Sequence, residues 1–164
     1  MKKVLIGSLV VFGLACGGSK PAPTPQETAP SWLKQGSGAF NSESGKRLQG
    51  VGSAAGTDPK ERRKDADGKA RAELAQAVDA FAAALSRMSE QGSQGDAIAA
   101  IARKTAASAQ VMDHYVTADG TENAVAVLDL PAFKAALQKV DGDGKVKSEM
   151  ASNADRAFEQ VAKP

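Results

Sequence analysis

The chain is poor in the residues that usually carry chemistry. It has 164 residues with one cysteine, one histidine and one tryptophan, and aromatic residues make up 4% of it. One cysteine cannot form an internal disulfide, and one histidine builds no metal or catalytic cluster without partners that the sequence does not indicate. Few aromatic residues also argue against a large ligand cavity. The sequence therefore predicts a protein that is not an enzyme, with no catalytic residues, no metal site and no cofactor.

Charge is also nearly balanced. The formal net charge is +2. Lys2 and Lys3 account for it, and no acidic residue precedes Cys16. Without this first segment the chain is neutral, which argues against nucleic acid as a partner.

The first fifteen residues, "MKKVLIGSLVVFGLA", have the pattern of a secretory signal peptide. A short positive start precedes an apolar run from Val4 to Phe12, and small residues precede Cys16. The run is too short for a permanent membrane span. The sequence "GLAC", Gly13 to Cys16, resembles a bacterial lipobox, although Gly13 stands where leucine is usual and "GLA" also suits ordinary signal peptidase.

Cys16 is accordingly predicted to be a lipidation site. No histidine or acid lies near it in sequence to activate a thiolate. Each buried methylene is worth roughly 0.8 kcal/mol, so several acyl chains, such as palmitate, hold a domain on a membrane. Gly17 follows the cysteine in place of aspartate. In the enterobacterial sorting pattern, this resemblance implies the outer membrane. The domain is expected to face the periplasm, and the anchor is also compatible with the cell surface.

Residues 16–30 are predicted to form a proline-rich tether. Pro21, Pro23, Pro25 and Pro30 stand among small and polar residues, a composition that favours an extended, solvated chain. A leader with no spacing role would have the same composition. Residues 31–164 are then expected to form one α+β domain, and Trp32 is expected to cover the edge of that domain, with ligand stacking as the alternative.

A glycine-rich strand is expected next, after a Gly/Ser-rich loop. Leu48 and Val51 lie among small residues in "KRLQGVGSAAG", which suits a strand that another backbone approaches closely. The segment "GVGSAAG" also suggests a phosphate-binding loop. It lacks the Gly-Lys-Ser/Thr ending of a P-loop, and its third glycine falls one place late for a dinucleotide fingerprint.

A long amphipathic helix follows. Thr57 or Asp58 can cap it, Pro59 suits its first position and Gly92 can end it. Its apolar face is spaced by three and four residues: Ala66, Ala70, Leu74, Ala77, Val78, Phe81, Leu85 and Met88. Asp67 can pair with Arg71 one turn on. A shorter helix is expected from Asp96 to Ala106.

The period then changes to that of a β-hairpin. Residues around Val111 to Val116 alternate, "ADGT" supplies a turn, and the second strand runs from Ala124 to Leu130. His114 is expected at a surface or half-buried sheet position. Pro131 opens a helix through Val140, and helical spacing resumes from Met150 towards Lys163.

The stretch "DGDGKVKSEM" begins like a calcium-binding loop at Asp141 and Asp143. Lys145 stands where a third oxygen ligand belongs, and Ser152 replaces the bidentate glutamate. The sixth position is not glycine either. A turn between helices is the better prediction.

This order of parts resembles a known family. A lipobox, a proline-rich tether, "APSW", "GVGSAAG", a helix with "DADGKARAELA" and the hairpin "VMDHYVTADGTENAVAVLDL" are similar to the small outer-membrane lipoproteins named for the twenty-kilodalton lipoprotein antigen of Helicobacter. The resemblance covers Pro30 to about Val140. It implies a compact α+β domain shared with flagellar accessory proteins, and a scaffold or assembly role. The resemblance does not extend to the helix after Asp141.

The predicted fold is α+β: a small three-stranded, largely antiparallel sheet covered by the long helix, with additional C-terminal helices. Such a sheet leaves a face or an edge that can bind another copy or another envelope protein. We therefore expect a membrane-anchored lipoprotein with a non-catalytic structural, assembly or interaction role. The alternative is a small periplasmic module that binds a lipid, a peptide or a cell-wall fragment.

Overall fold

The structure is a computed structural model, and it describes residues 29–43, 45–89, 94–107 and 109–163. The predicted signal peptide, Cys16 and most of the tether lie outside these residues. In chain order the elements are α1 (Ser31–Gln35), β1 (Gly38–Ser42), β2 (Gly45–Ala54), α2 (Pro59–Met88), α3 (Gly95–Ala106), β3 (Gln110–Val116), β4 (Glu122–Asp129), α4 (Leu130–Leu137), α5 (Gly144–Val161) and β5 (Ala162–Lys163).

The strands form one mixed sheet. Its order is β3-β4-β2-β1-β5. The pairs β3–β4, β4–β2 and β2–β1 are antiparallel, whereas β1 and β5 are parallel. The α+β class is therefore confirmed, but the prediction of three strands is wrong, because the described residues form five.

The two unpredicted strands have little β signal of their own. Strand β1 reads GAFNS and lies in the stretch that was expected to be a Gly/Ser-rich loop. Strand β5 has only two residues, and its pairing places Ala162 beside Ala39. Because β propensity depends strongly on context, contacts with the rest of the sheet determine that these two segments form strands.

Helix α2 lies directly against β2. A Cβ at Gly50 would fall 2.1 Å from the backbone nitrogen of Leu74, and one at Gly52 would fall 2.2 Å from that of Ala70. No side chain fits at those distances, so the two backbones touch because these residues are glycine. The predicted close approach to the glycine-rich strand is confirmed.

The core lies between the sheet and the helices. The predicted apolar face of α2 is buried at most of its positions, with Ala77 and Met88 only partly covered. At its centre the rings of Phe81 and Phe133 meet edge to face, with centroids 5.2 Å apart. Helix α4 thus joins α2 in one core, and α5 adds Met150, Ala154 and Phe158 to it.

Aspartates begin the two longest helices. Asp58 accepts a hydrogen bond from the Lys60 amide at 2.8 Å, as predicted for a cap. Asp143 accepts from the amides of Lys145 and Val146. The calcium-like stretch is therefore a turn that ends in a helix cap, as expected. Helix α4 ends at Leu137, short of the predicted Val140. The predicted end of α2, Gly92, lies outside the described residues.

The predicted hairpin joins β3 to β4. Its turn closes with a hydrogen bond from the Thr117 amide to the Thr121 carbonyl, and Gly120 has a φ of 83°. Of the helices described, none is long and apolar enough to cross a membrane.

Candidate functional site

The two faces of the sheet differ in chemistry. Towards α2, strand β2 presents Leu48, the two contact glycines and Ala54. The opposite face is called the second face here. Side chains alternate along a strand, so the antiparallel register shows which residues belong to the second face. They are Arg47, Gln49, Val51 and Ser53 of β2; Asn123, Val125, Val127 and Asp129 of β4; and Gln110, Asp113 and Tyr115 of β3.

Helix α1 covers part of the second face. Trp32 is 8% exposed. Its indole Nε1 donates a hydrogen bond to Asp113 Oδ2 on the edge strand β3, at 3.0 Å. This position agrees with the prediction that Trp32 covers the domain edge. The residues that follow the predicted tether are thereby fixed to the sheet.

A β-bulge in β3 makes this contact possible. The register shifts between Val111, which pairs with Ala126, and Asp113, which pairs with Val125. An extra residue reverses the faces of all residues after it. Without the bulge, Asp113 would face α2; with it, Asp113 faces Trp32 and His114 faces α2.

His114 joins β3 to α2. Its Nε2 lies 2.6 Å from Asp67 Oδ1, and its Nδ1 lies 3.0 Å from Arg63 Nη2. Arginine only donates and a carboxylate accepts, so a proton on Nε2 satisfies both contacts. The half-buried position predicted for His114 is confirmed. The pairing expected of Asp67 with Arg71 is replaced, because Asp67 binds His114 and Arg71 donates to the Ala109 carbonyl.

Two polar side chains of β2 contact the segment around α1. Gln49 is fully buried, and its Nε2 donates to the Gly36 carbonyl at 2.6 Å. Arg47 donates from Nη2 to Gln35 Oε1 at 3.1 Å. Each side chain keeps one atom out of contact with solvent and without a hydrogen-bond partner among the described residues: Gln49 Oε1 and Arg47 Nε. Buried polar atoms of this kind are uncommon in proteins.

Both residues line a cavity of about 200 Å³ on the second face. Trp32, Val125 and Val127 supply apolar walls, and Met112, Asp113 and Asp129 complete it. Asp129 lies opposite Arg47 in the strand register, yet no ion pair joins these two side chains within the described region. The cavity therefore combines apolar walls with polar groups that are not all used by the fold.

A second cavity differs in this respect. It has about 150 Å³ and lies between α2 and the end of α3, lined by Leu74, Val78 and two arginines. Arg71 donates to the Ala109 carbonyl and Arg103 donates to Asp79 at 2.7 Å. Among the described residues, neither of these two arginines has a buried nitrogen without a hydrogen-bond partner.

The outer edge of β3 is exposed. In the sheet order β3 pairs only with β4, so one row of its main-chain groups faces away from the sheet. Met112 and Val116 are 67% and 48% exposed, and they are the exposed large apolar residues of the described part of the chain. The turn beside this edge contains Asp119, whose pKa is lowered by hydrogen bonds from the Thr117 hydroxyl and the Thr121 amide.

Arg47 and Gln49 were not predicted as site residues. The alternation of Arg47, Gln49, Val51 and Ser53 with small and apolar residues was a readable signal for a second face. The burial of Gln49 could not be predicted from the sequence, since it depends on the segment around α1. Among the described residues, no group of three His, Cys, Asp or Glu side chains is placed to hold a metal ion.

Comparison with known proteins adds no relative. No protein-family model matches the chain, and no curated protein matches it significantly.

Proposed function

We propose that this chain is a membrane-anchored envelope lipoprotein with a non-catalytic structural or assembly role, and that its domain binds a strand of another envelope protein at β3. The exposed edge of β3 is the observation that carries the proposal. Edge strands bind partner strands through main-chain hydrogen bonds, and their side chains add specificity. Met112 and Val116 supply exposed apolar surface at this edge.

The side chains within β3 favour recognition through its main chain. Asp113 accepts from Trp32, and His114 contacts Asp67 and Arg63 on α2. These two side chains are held by the domain itself. A partner can contact the outer row of main-chain groups, the two exposed apolar side chains and the exposed side chain of Gln110.

Another envelope protein fits this edge better than a second copy. If two β3 strands paired antiparallel about their central residue, Asp113 would lie opposite its own copy. Like charges directly opposite one another are destabilising. The bulge at Met112 further limits regular pairing to the part of β3 that follows it.

The anchor is the second part of the proposal. It is supported by the signal-peptide pattern and by "GLAC" at Gly13 to Cys16. The resemblance to the Helicobacter-type lipoproteins favours an outer-membrane location and a scaffold role. We propose that the domain faces the periplasm, and the cell surface is the other orientation. Labelled palmitate should enter the wild-type chain and should not enter Cys16→Ser.

Photo-cross-linking in the living bacterium tests the docking edge. A photoreactive residue at Met112 or Val116 should give an adduct with one envelope protein, whereas one at the exposed Ser152 of α5 should give none. The same adduct should disappear when Val116→Lys is combined with the probe at Met112, because a charge on the strand edge opposes pairing. If the probe at Ser152 gave as much adduct as the probes at Met112 and Val116, docking of another protein at β3 would be contradicted. Adducts formed only between two copies of this chain would contradict it as well.

One observation favours the alternative function, a small periplasmic ligand-binding module. The cavity on the second face combines apolar walls from Trp32, Val125 and Val127 with the polar side chains of Arg47 and Gln49. Such a module would bind a lipid, a peptide or a cell-wall fragment.

A further inference from the structure

The charges at the start of α2 are mixed in sequence but separated in the fold. Cations and carboxylates are interleaved in "KERRKDADGKAR", residues 60–71. Arg63 Nη2 lies 3.0 Å from His114 Nδ1 in β3. Arg71 donates to the carbonyl of Ala109, just before β3, at 2.8 Å. These two contacts define the side of α2 that lies along β3.

That side of α2 is basic. With about 3.6 residues per turn, five charged residues share it, and together they are termed the basic flank: Lys60, Arg63, Lys64, Asp67 and Arg71. The other charged residues of this stretch, Glu61, Arg62, Asp65 and Lys69, fall outside it. Four cations therefore accompany one carboxylate along β3.

The domain does not neutralise this charge. All four cations of the basic flank are exposed. Within the described part of the chain, no carboxylate forms an ion pair with any of them. The carboxylate of the flank, Asp67, binds His114. An excess of positive charge thus lies beside the open edge of β3.

A strand added to β3 would lie within reach of the basic flank. Neighbouring strands are about 4.8 Å apart, so the partner would lie one such step beyond the strand that Arg63 already contacts. Every second residue of the partner would face the side of α2, because side chains alternate along a strand. The long, exposed side chains of Lys60 and Lys64 can extend to these residues.

The remaining surface of the edge limits where acidic residues fit. Val116 offers apolar surface at one end of β3, so the partner residue that meets it is expected to be apolar. On the second face β3 itself presents Asp113, and like charges in neighbouring strands are destabilising. Acidic residues of the partner therefore fit on the side of α2 and not on the second face.

We propose that the partner strand bound at β3 is acidic on the side that faces α2, where its carboxylates pair with Lys60 and Lys64, and uncharged on the side of the second face. This inference rests on the proposed docking at β3 and names the chemistry of the partner. Two copies of the chain paired antiparallel through β3 would place both basic flanks on the same side of the joined sheet, where they repel one another. An anionic lipid surface would attract the flank but has no strand for the open edge beside it.

Charge reversal at the two lysines tests the inference. The photoreactive residue at Met112 is combined with Lys60→Glu/Lys64→Glu, which leaves the contacts of Arg63 and Arg71 with β3 and Ala109 intact. Acidic residues in the first turn of a helix favour it, and circular dichroism verifies the fold. We expect the yield of the protein adduct in cells to fall at least about tenfold, the factor for two exposed ion pairs.

The matched control is Lys104→Glu/Lys139→Glu. Both lysines are exposed, one in α3 and one after α4, and the change in net charge is the same. The adduct yield should stay unchanged. An equal loss in both double variants would overturn the inference, because total charge and not the basic flank would then control binding.

Mass spectrometry of the adduct identifies the partner segment. Changing the acidic residues of that segment to lysine should restore the adduct of Lys60→Glu/Lys64→Glu. A segment without acidic residues, or an adduct that Lys60→Glu/Lys64→Glu leaves unchanged, would overturn this inference and leave docking at β3 intact. Absence of any adduct from the Met112 probe would overturn both.

A probe on the basic flank itself distinguishes the lipid alternative. With a photoreactive residue in place of Lys64, we expect an adduct with the same protein that the Met112 probe captures. In bacteria grown on labelled phosphate, an adduct with phospholipid and none with that protein would assign the basic flank to the membrane surface and overturn the proposal.

Discussion

The two faces of one strand, β2, differ in how they use burial. Leu48 faces the helices and is 1% exposed, and its neighbour Gln49 faces the opposite way and is 0% exposed. On the helix side, glycine and alanine bring backbones into contact and leave no space. On the second face, the segment around α1 buries polar side chains and leaves a cavity beside them, and two of the buried polar atoms have no hydrogen-bond partner among the described residues. Equal burial therefore gives close backbone packing on one face and leaves polar atoms without partners on the other.

The largest expected effect comes from breaking the close face at Gly50. In Gly50→Ala the new methyl group would lie 2.1 to 2.2 Å from backbone atoms of Leu74 and Ala70. Helix α2 must move off the sheet, so we expect a loss of at least about 4 kcal/mol, more than ordinary overpacking costs. Urea unfolding measures it.

Gly68→Ala is the matched control for that substitution. Gly68 lies within α2, and apart from the adjacent backbone of the helix no atom lies within 4 Å of its added Cβ. Alanine is the better helix former there, so this variant should gain about 0.5 to 1 kcal/mol. A similar loss in both variants would mean that the contact between α2 and β2 is not what requires glycine at position 50.

A reciprocal exchange at Leu48 and Gln49 sharpens the comparison. Leu48→Gln places an amide in an apolar site and should cost about 2 to 4 kcal/mol. Gln49→Leu loses the hydrogen bond to Gly36 but also removes an unpaired oxygen, so its stability should change by less than about 1 kcal/mol. Thermal and urea unfolding measure the stability of both variants. Equal losses of stability would contradict the difference between the two faces.

The two faces of β2 could be predicted from the sequence to different degrees. The spacing of Leu74, Val78 and Phe81 predicted the buried stripe of α2, and the glycines of β2 predicted a close backbone approach. Both are local patterns with a fixed period. Strand β5 and the burial of Gln49 depend on segments more than ten residues away, so no local pattern indicates them. The bulge that turns Asp113 towards Trp32 likewise follows from pairing with β4.

The link between Trp32 and Asp113 tests whether α1 belongs to the second face. Asp113→Ala leaves the buried indole N–H without its carboxylate acceptor. Hydrogen bonds to charged groups contribute about 1.5 to 3 kcal/mol, and we expect the lower half of this range because Asp113 lies at the edge strand. Tryptophan fluorescence should shift to the red as Trp32 becomes exposed. An unchanged spectrum and unchanged stability would show that α1 is held by other contacts.

The smallest effect is expected at the surface pairs around α5. Asp155 binds Lys134 at 2.6 Å and Lys46 at 3.2 Å, and both contacts lower the pKa of its carboxyl. A lowered folded pKa stabilises the protein above the unfolded pKa, and this contribution is lost as the pH falls through the folded pKa. The Asp155 side chain is 54% exposed, so Asp155→Asn should cost less than about 1 kcal/mol near neutral pH.

Salt separates this charge effect from simple hydrogen bonding. The pKa of Asp119 is lowered as well, but its partners, the Thr117 hydroxyl and the Thr121 amide, are neutral. Raising the ionic strength screens ion pairs, so the pKa of Asp155 should rise towards its ordinary value while that of Asp119 should hardly change. Carboxyl-carbon NMR titrations at low and high salt measure both groups in one sample. Equal salt responses would show that the lysines do not hold Asp155 through their charge, and the pH dependence assigned to it would then be lost.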